Sequence, residues 1–167
     1  MMGRGLYAKL DAFKLGEADA VARQRRDNVI KYNLEAGRVV SEEQNEEEHF
    51  RGARCERAAW IFFPELPWNR LIIEDADLGD FIDVKSIRFD WHELLVKKHK
   101  IKPEWAYLLV SAENHPYYWL AGWQWGSYLI AHAPTKHARP PCYALPASAL
   151  LPVWQLQKIV RDSRPFD

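Results

Sequence analysis

Cysteine is scarce in this 167-residue sequence, which contains only Cys55 and Cys142. Two cysteines are too few for the disulfide framework that stabilises many small secreted domains, so both thiols are predicted to be reduced and structural. This favours a cytoplasmic protein. No apolar run approaches the roughly 20 residues that cross a bilayer, and residues 1–4 lead into no apolar signal-peptide segment. The sequence therefore predicts no membrane partner.

The sequence also lacks an excess of charge of either sign, because 23 Lys and Arg residues balance 23 Asp and Glu residues. Proteins that bind DNA without sequence preference usually carry a basic excess, so the overall charge does not favour tight binding. The charges are nevertheless segregated along the chain. Basic residues gather at 23–26 and 97–102, and acidic residues gather at 42–48 and 74–83. This pattern is compatible with a basic face around an acidic centre.

Hydrophobic residues, in contrast, make up 48% of the sequence and include eight tryptophans. This content is sufficient for a substantial core, and the length predicts one domain over residues 1–167. Trp119, Trp123 and Trp125 alternate along one apolar run. They are expected to lie in the core or on a sheet face, although they could instead stack on bases.

The order of the predicted elements, helices first and then strands and a closing helix, indicates an α+β or mixed α/β domain. Ser41 is predicted to begin a capping box, and Gly52 is expected to interrupt the second helix. The charged segment 97–103 is predicted to join two strands as a hairpin, and the proline-rich segment 133–141 is predicted to be a loop. The predicted helices span about residues 17–36, 41–63 and 147–161, and the predicted strands span 70–74, 81–88, 92–96, 105–110 and 117–123.

The run from Phe81 to Ile87 is the most informative segment of the chain. Side chains alternate between the two faces of a strand, so Asp83 and Lys85 are predicted to share one face. Ile82 and Val84 then point into a core. An acid and an amine on one face predict either a chemical site or an ordinary surface ion pair, which contributes little to stability.

Two further carboxylates are expected near this strand. Asp77 precedes it across a predicted tight turn, which would bring its side chain beside Asp83, although Asp75 or Asp80 could take that place. Glu56 lies on the second predicted helix and could join them, or it could be a solvated charge. Carboxylates and a lysine around one pocket predict a divalent-metal site with a positive group beside it, as phosphodiester hydrolysis requires.

This pattern resembles the PD-(D/E)xK nuclease superfamily, in which a helical glutamate is followed by an aspartate and then by a strand carrying acid-x-Lys. Asp77 would be the first acid, with Ala76 where the motif has proline, and Asp83 with Lys85 would form the second half. Glu56 looks like the helical glutamate. The later segments 105–110, 120–123 and 143–150 are similar to small phage-type members. The resemblance covers roughly residues 50–155 and leaves residues 1–49 unassigned.

The resemblance implies a restriction-endonuclease-like mixed β-sheet flanked by helices, with an N-terminal helical region at 1–49 and a nuclease-like core at 50–160. It implies a DNA substrate, a homodimer, and a role in phage or prophage DNA processing, recombination or repair. Mg²⁺ or Mn²⁺ would be held by Asp77 and Asp83, with Glu56 and the backbone carbonyl of Val84 as further ligands. Lys85 would orient the attacking water or stabilise charge that develops on the phosphate.

Two other functions remain open. The chain could be a catalytically inactive relative that binds DNA or assembles with protein, or an unrelated domain whose Trp-rich sheet binds another protein. The lysines at 97–102 could contact a phosphate backbone or simply form a charged hairpin tip. His132 and His137 lack the cysteine or carboxylate pattern of a zinc site and are predicted to be loop or surface residues. His92 either lines the metal site or is a half-buried strand residue.

Overall fold

A computed structural model of the protein describes residues 5–35, 42–70, 75–88, 93–137 and 140–163. The described elements are β1 (Leu6–Lys9), α1 (Ala12–Glu35), α2 (Glu42–Trp60), β2 (Ile82–Ile87), β3 (Glu93–Lys97), β4 (Ala106–Ser111), β5 (Tyr117–Trp125), α3 (Gly126–His132), β6 (Thr135–Lys136), β7 (Cys142–Pro146), a single 3-10 turn (Ala147–Ala149) and α4 (Val153–Asp162).

The described strands form two sheets. The first has the order β1-β5-β4-β2, in which β2 runs parallel to β4 and the other neighbours are antiparallel. The second has the order β3-β7-β6 and is antiparallel. Helices and strands are thus arranged as an α+β fold, as the order of elements predicted.

Strand β4 separates two apolar cores. Leu108 and Val110 face one core, which contains the small residues of α1 and α2 and the apolar face of α4. Tyr107 and Leu109 face the other core, which lies against the second sheet and α3. Because every residue of β4 is buried, both faces of the first sheet are covered at its centre.

The predicted hairpin between the third and fourth strands is wrong. β3 pairs with β7 in the second sheet, whereas β4 pairs with β2 and β5 in the first. The burial of each strand gives the reason. Leu94 and Val96 are buried and Leu95 is exposed, so β3 suits a sheet with one solvated face. β4 is buried on both faces, so water cannot reach its backbone groups and they need a strand partner at each edge.

The two N-terminal helices also differ from their predicted boundaries. α1 begins earlier, at Ala12, because Asp11 caps it by accepting the Lys14 N–H at 2.9 Å. α2 continues through Gly52, so the predicted interruption is wrong. The neighbouring residues Ala53 and Cys55 are fully buried, and their packing offsets the low helix propensity of glycine.

Several elements were missed or divided. β1, α3, β6 and β7 were not predicted, and β6 and the start of β7 occupy or border the predicted loop at 133–141. The closing helix is interrupted at Leu150–Pro152, because proline disfavours helical backbone in the preceding residue, Leu151. Leu151 instead exchanges backbone hydrogen bonds of 3.0 and 2.9 Å with Trp123.

The capping residue Ser41, His92 and most of the predicted strand at 70–74 lie outside the described residues.

Trp123 is buried, and Trp119 and Trp125 pack against the cores, which confirms their predicted place in the core and on the sheet. His132 and His137 are exposed, as predicted. The predicted boundary at residue 50, between an N-terminal helical region and a core, falls inside α2. Helix α2 packs on α1, and both helices share a core with the first sheet. In the part of the chain that the structure describes, every helix is too short or too polar to cross a bilayer.

Gly122 is predicted to be essential for this packing. Its φ of +152° is rarely adopted by other residues, and a Cβ there would lie 2.7 Å from both Leu150 Cβ and Leu151 O. We expect Gly122→Ala to lower the free energy of unfolding by about 1–3 kcal/mol. The matched control is Gly16→Ala on the exposed surface of α1, where a Cβ meets nothing within 4 Å. Urea unfolding should show a gain of about 0.5–1 kcal/mol for this control. Equal stability of the two variants would contradict the prediction.

Candidate active site

Asp83 and Lys85 lie on the same face of β2, as the alternation predicted. Lys85 Nζ is 2.6 Å from Asp83 Oδ2, and the two side chains are 36% and 14% exposed, respectively. Ile82 and Val84 point the other way, into the core beneath α1 and α2. The pair therefore occupies an edge strand of the first sheet, with the Lys85 side chain partly exposed and the Asp83 side chain mostly buried.

Asp77 is the acid that the preceding turn brings to this strand. Leu78 and Ile82 exchange backbone hydrogen bonds of 3.0 and 3.2 Å, with Gly79 in a left-handed conformation between them. This turn places Asp77 Oδ2 2.7 Å from the backbone nitrogen of Val84, whose N–H it accepts.

The alternative acids of this turn, Asp75 and Asp80, have exposed side chains. Asp77, in contrast, is half-buried and is itself in side-chain contact with Asp83. The geometry therefore selects Asp77 from the three candidates.

Asp77 has a strongly perturbed acidity. Burial raises the pKa of its carboxyl group well above the ordinary value, and the negative charges of Glu56 and Asp83 raise it further. A hydrogen bond between the Asp77 and Asp83 side chains acts in the same direction, because it requires a proton on one of them. Asp77 and Asp83 thus form a carboxylate pair that needs a positive charge or a proton.

This raised pKa determines the sign of a pH dependence. Native Asp77 holds its proton more tightly than the unfolded chain does, so its contribution to the free energy of unfolding is largest below about pH 3.8 and is lost as the pH rises through the raised pKa. We expect Asp77→Asn, which can still accept the Val84 N–H, to be more stable than the wild type at neutral pH. Urea unfolding at a series of pH values in EDTA checks this. An unchanged decline of stability with pH in the variant would contradict it.

Lys85 stays positively charged despite its surroundings. Burial by itself lowers the pKa of the Lys85 ammonium group, but the negative charges of Asp83 and Asp77 outweigh this effect, and the pKa is raised. The site therefore presents a fixed cation beside two carboxylates.

Glu56 lies on α2, as predicted, but it is 5% exposed and is not a solvated charge. Arg25 of α1 binds it in a bidentate manner, with N–O distances of 2.7 and 2.8 Å, and Trp68 Nε1 donates to Glu56 Oε2 at 2.9 Å. The neighbouring arginines are paired elsewhere, Arg54 with Asp19 and Arg57 with Glu17. Both oxygens of Glu56 thus already accept hydrogen bonds, while its charge still acts on Asp77.

Two residues at the site were missed by sequence reasoning. The sequence marks Arg25 only as one of the basic residues at 23–26, and its position, 31 residues before Glu56, gives no signal for the pairing. Tyr107 lies opposite Asp83 in the β2–β4 register, and its ring centre is 5.8 Å from Lys85 Nζ. The alternation of β4 could have indicated Tyr107 only if the pairing of β4 with β2 had been known.

The donor set at Asp77 and Asp83 fits a hard divalent cation. Mg²⁺ prefers oxygen ligands and usually retains several waters while taking only one or two carboxylates from a protein. Within residues 5–35, 42–70, 75–88, 93–137 and 140–163, no three His, Cys, Asp or Glu side chains are grouped so that they could hold a metal ion. The pair would therefore form the protein part of such a site, and the predicted ligands Glu56 and the carbonyl of Val84 remain predictions.

No family model, curated protein or solved structure matches this chain.

Proposed function

We propose that the protein is a Mg²⁺- or Mn²⁺-dependent deoxyribonuclease of the PD-(D/E)xK type. One observation carries this proposal: the turn and strand β2 gather Asp77, Asp83 and Lys85 at one edge of the first sheet, with Lys85 Nζ 2.6 Å from Asp83. A buried structural ion pair would not need a second carboxylate that burial and like charge make costly to ionise.

Each residue has a distinct role in this proposal. Asp77 and Asp83 would hold the cation, which when bound lowers the pKa of a coordinated water and offsets phosphate charge. The Lys85 ammonium group would donate to the attacking water or to a non-bridging phosphate oxygen. The water oxygen would form a bond to phosphorus as a P–O ester bond breaks. One proton of this water would pass to the leaving oxygen and the other to solvent. Glu56, held by Arg25, would act on the site through its charge.

A second candidate is a DNA-binding protein that does not cleave. The hydrogen bonds from Arg25 and Trp68 to both oxygens of Glu56 favour it, since a carboxylate so occupied is a poor metal ligand. The packing of Trp119, Trp123 and Trp125 against the cores leaves little to favour a Trp-rich protein-binding face.

Incubation of the purified protein with supercoiled plasmid and with linear duplex, in Mg²⁺, Mn²⁺ or EDTA, tests the proposal. Metal-dependent cleavage that is lost in Asp83→Ala supports the nuclease. A thermal shift with Mg²⁺ in the wild type, absent in Asp83→Ala, supports metal binding independently of activity. DNA retention without cleavage favours the second candidate, and no interaction with DNA overturns both.

The remaining parts of the proposal concern the setting of the reaction. The two cysteines are free, Cys55 buried and Cys142 half-buried, and this supports the reduced cytoplasmic setting that we propose. A homodimer, which would cut both strands of a duplex, and a role in phage or prophage DNA metabolism stay predictions from the resemblance.

A further inference from the structure

Positive charge is concentrated at one end of the second sheet. We call this surface the basic tip and define it by its residues: Lys97, Lys98, His99, Lys100, Lys102, Lys136 and His137. The register places Lys97 and Lys136 on either side of Cys142, so both lie at the same end of the sheet. The sequence segments 97–105 and 133–143 contain a single acid, Glu104. A chain with no net charge thus carries a local basic excess here.

Much of this charge is not neutralised by the protein. Within the described parts of the chain, no ion pair involves Lys97 or Lys100, and both side chains are exposed. Some cations are paired, as Arg25 is with Glu56, Arg54 is with Asp19 and, within the basic tip, Lys136 is with Glu93. Lys97 and Lys100 therefore give the basic tip an attraction for an external anion.

Aromatic rings hold two of the lysines of the basic tip. The Lys98 ammonium group lies 4.8 Å from the centre of the Tyr143 ring, and the Lys102 ammonium group lies 3.9 Å from a ring of Trp105. The contact with Tyr143 restrains the Lys98 cation without neutralising its charge. Such contacts reduce the entropy that these side chains would lose on binding a phosphate.

The basic tip is also anchored next to the candidate active site. Tyr107 accepts the backbone N–H of Lys102 at 2.8 Å, and the same tyrosine lies opposite Asp83. Gly126 approaches Lys102 so closely that a Cβ there would be 2.0 Å from its carbonyl oxygen. Because β4 runs parallel to β2, the segment 98–105, which leads into β4, enters the sheet beside the first residues of β2.

We propose that the basic tip binds the sugar-phosphate backbone of duplex DNA on the side of the strand that carries Asp83 and Lys85. This inference deepens the proposed function and rests on it for the identity of the polyanion. Backbone contacts of this kind give affinity that does not depend on base sequence and that falls with salt. An anionic membrane surface or an acidic protein would be the competing occupants.

Binding measured in EDTA separates this inference from cleavage. Fluorescence anisotropy of a labelled duplex of about 30 base pairs, titrated with the full chain over about 0.05–0.3 M NaCl, gives the affinity and its salt slope. For Lys97→Gln/Lys100→Gln we expect roughly tenfold or greater weakening near 0.1 M salt and a slope reduced by about 2, one for each phosphate contact. Lys9→Gln/Lys31→Gln removes the same charge elsewhere and should bind as the wild type does.

Each outcome has one interpretation. Equal weakening in both double variants would show an effect of net charge and would overturn the inference. No binding of the duplex, together with binding to vesicles of anionic phospholipid or to polyglutamate, would also overturn it. If the basic-tip variant loses binding but the wild type never cleaves in Mg²⁺, the inference stands and the nuclease proposal fails. If the wild type cleaves and the basic-tip variant binds and cleaves equally well, the nuclease proposal stands and the inference about the basic tip fails.

Discussion

Lys85→Ala is expected to lower the rate of metal-dependent DNA cleavage by about 10²- to 10³-fold and to leave the fold intact. The ammonium group lies 2.6 Å from Asp83, and it retains its charge because Asp83 and Asp77 raise its pKa. Its loss removes the cation that contacts Asp83 and that would stabilise developing negative charge. Plasmid nicking under single-turnover conditions measures the effect.

The fold is expected to survive because the Lys85 side chain is 36% exposed and its removal leaves Asp83 partly solvated. Circular dichroism and urea unfolding of the variant check this. Lys9→Ala is the matched control, since Lys9 lies at the opposite edge of the same sheet. Cleavage by Lys85→Ala at the wild-type rate would refute the proposed role of Lys85.

Arg25→Met is expected to destabilise the protein by about 3–5 kcal/mol, because it leaves the buried carboxylate of Glu56 without its cation. The Arg25 and Glu56 side chains are 12% and 7% exposed, so solvent screens the lost charge only weakly. Arg25 also donates to the backbone carbonyls of Asn69 and Arg70, at 2.9 and 2.6 Å. The Asn69 N–H in turn donates to the carbonyl of Asp77, so the substitution also loosens the segment that carries Asp77.

The double variant Arg25→Met/Glu56→Gln separates the two effects. A neutral glutamine can still accept a hydrogen bond from Trp68, so most of the lost stability should return in urea unfolding. If the double variant is as unstable as Arg25→Met alone, the buried charge is not the cause. The single variant Glu56→Gln then reports on function: a large loss of cleavage favours metal binding by Glu56, and a small loss favours an electrostatic role.

The parts of the geometry around Asp83 that were predicted correctly depend on short separations along the chain. Asp83 and Lys85 share a face because alternation is a local property of any strand. Asp77 reaches them because a single tight turn separates it from β2. Glu56 was placed correctly on a helix, but its environment was not predicted, because Arg25 and Trp68 come to it from separate segments.

The errors in the fold concern which strands pair. Residues 97–103 have the composition of a hairpin turn, yet β3 and β4 enter different sheets. The alternation of β3 and the apolar faces of β4 were visible in the sequence, but the partners that satisfy them, β7 and β2, were not. Competition among strands for burial decides such pairing, and it involves the whole chain.

The sequence by itself determined the fold class, the alternating strand that carries Asp83 and Lys85, and the turn that leads into it, since each follows from periodicity or turn chemistry over a few residues. Only the tertiary structure decided that Asp77 rather than Asp75 or Asp80 faces this strand, that Arg25 neutralises Glu56, and that Tyr107 connects the site to the basic tip. These choices depend on burial and charge contributed by residues distant in sequence, which become neighbours only after the sheets and helices have packed.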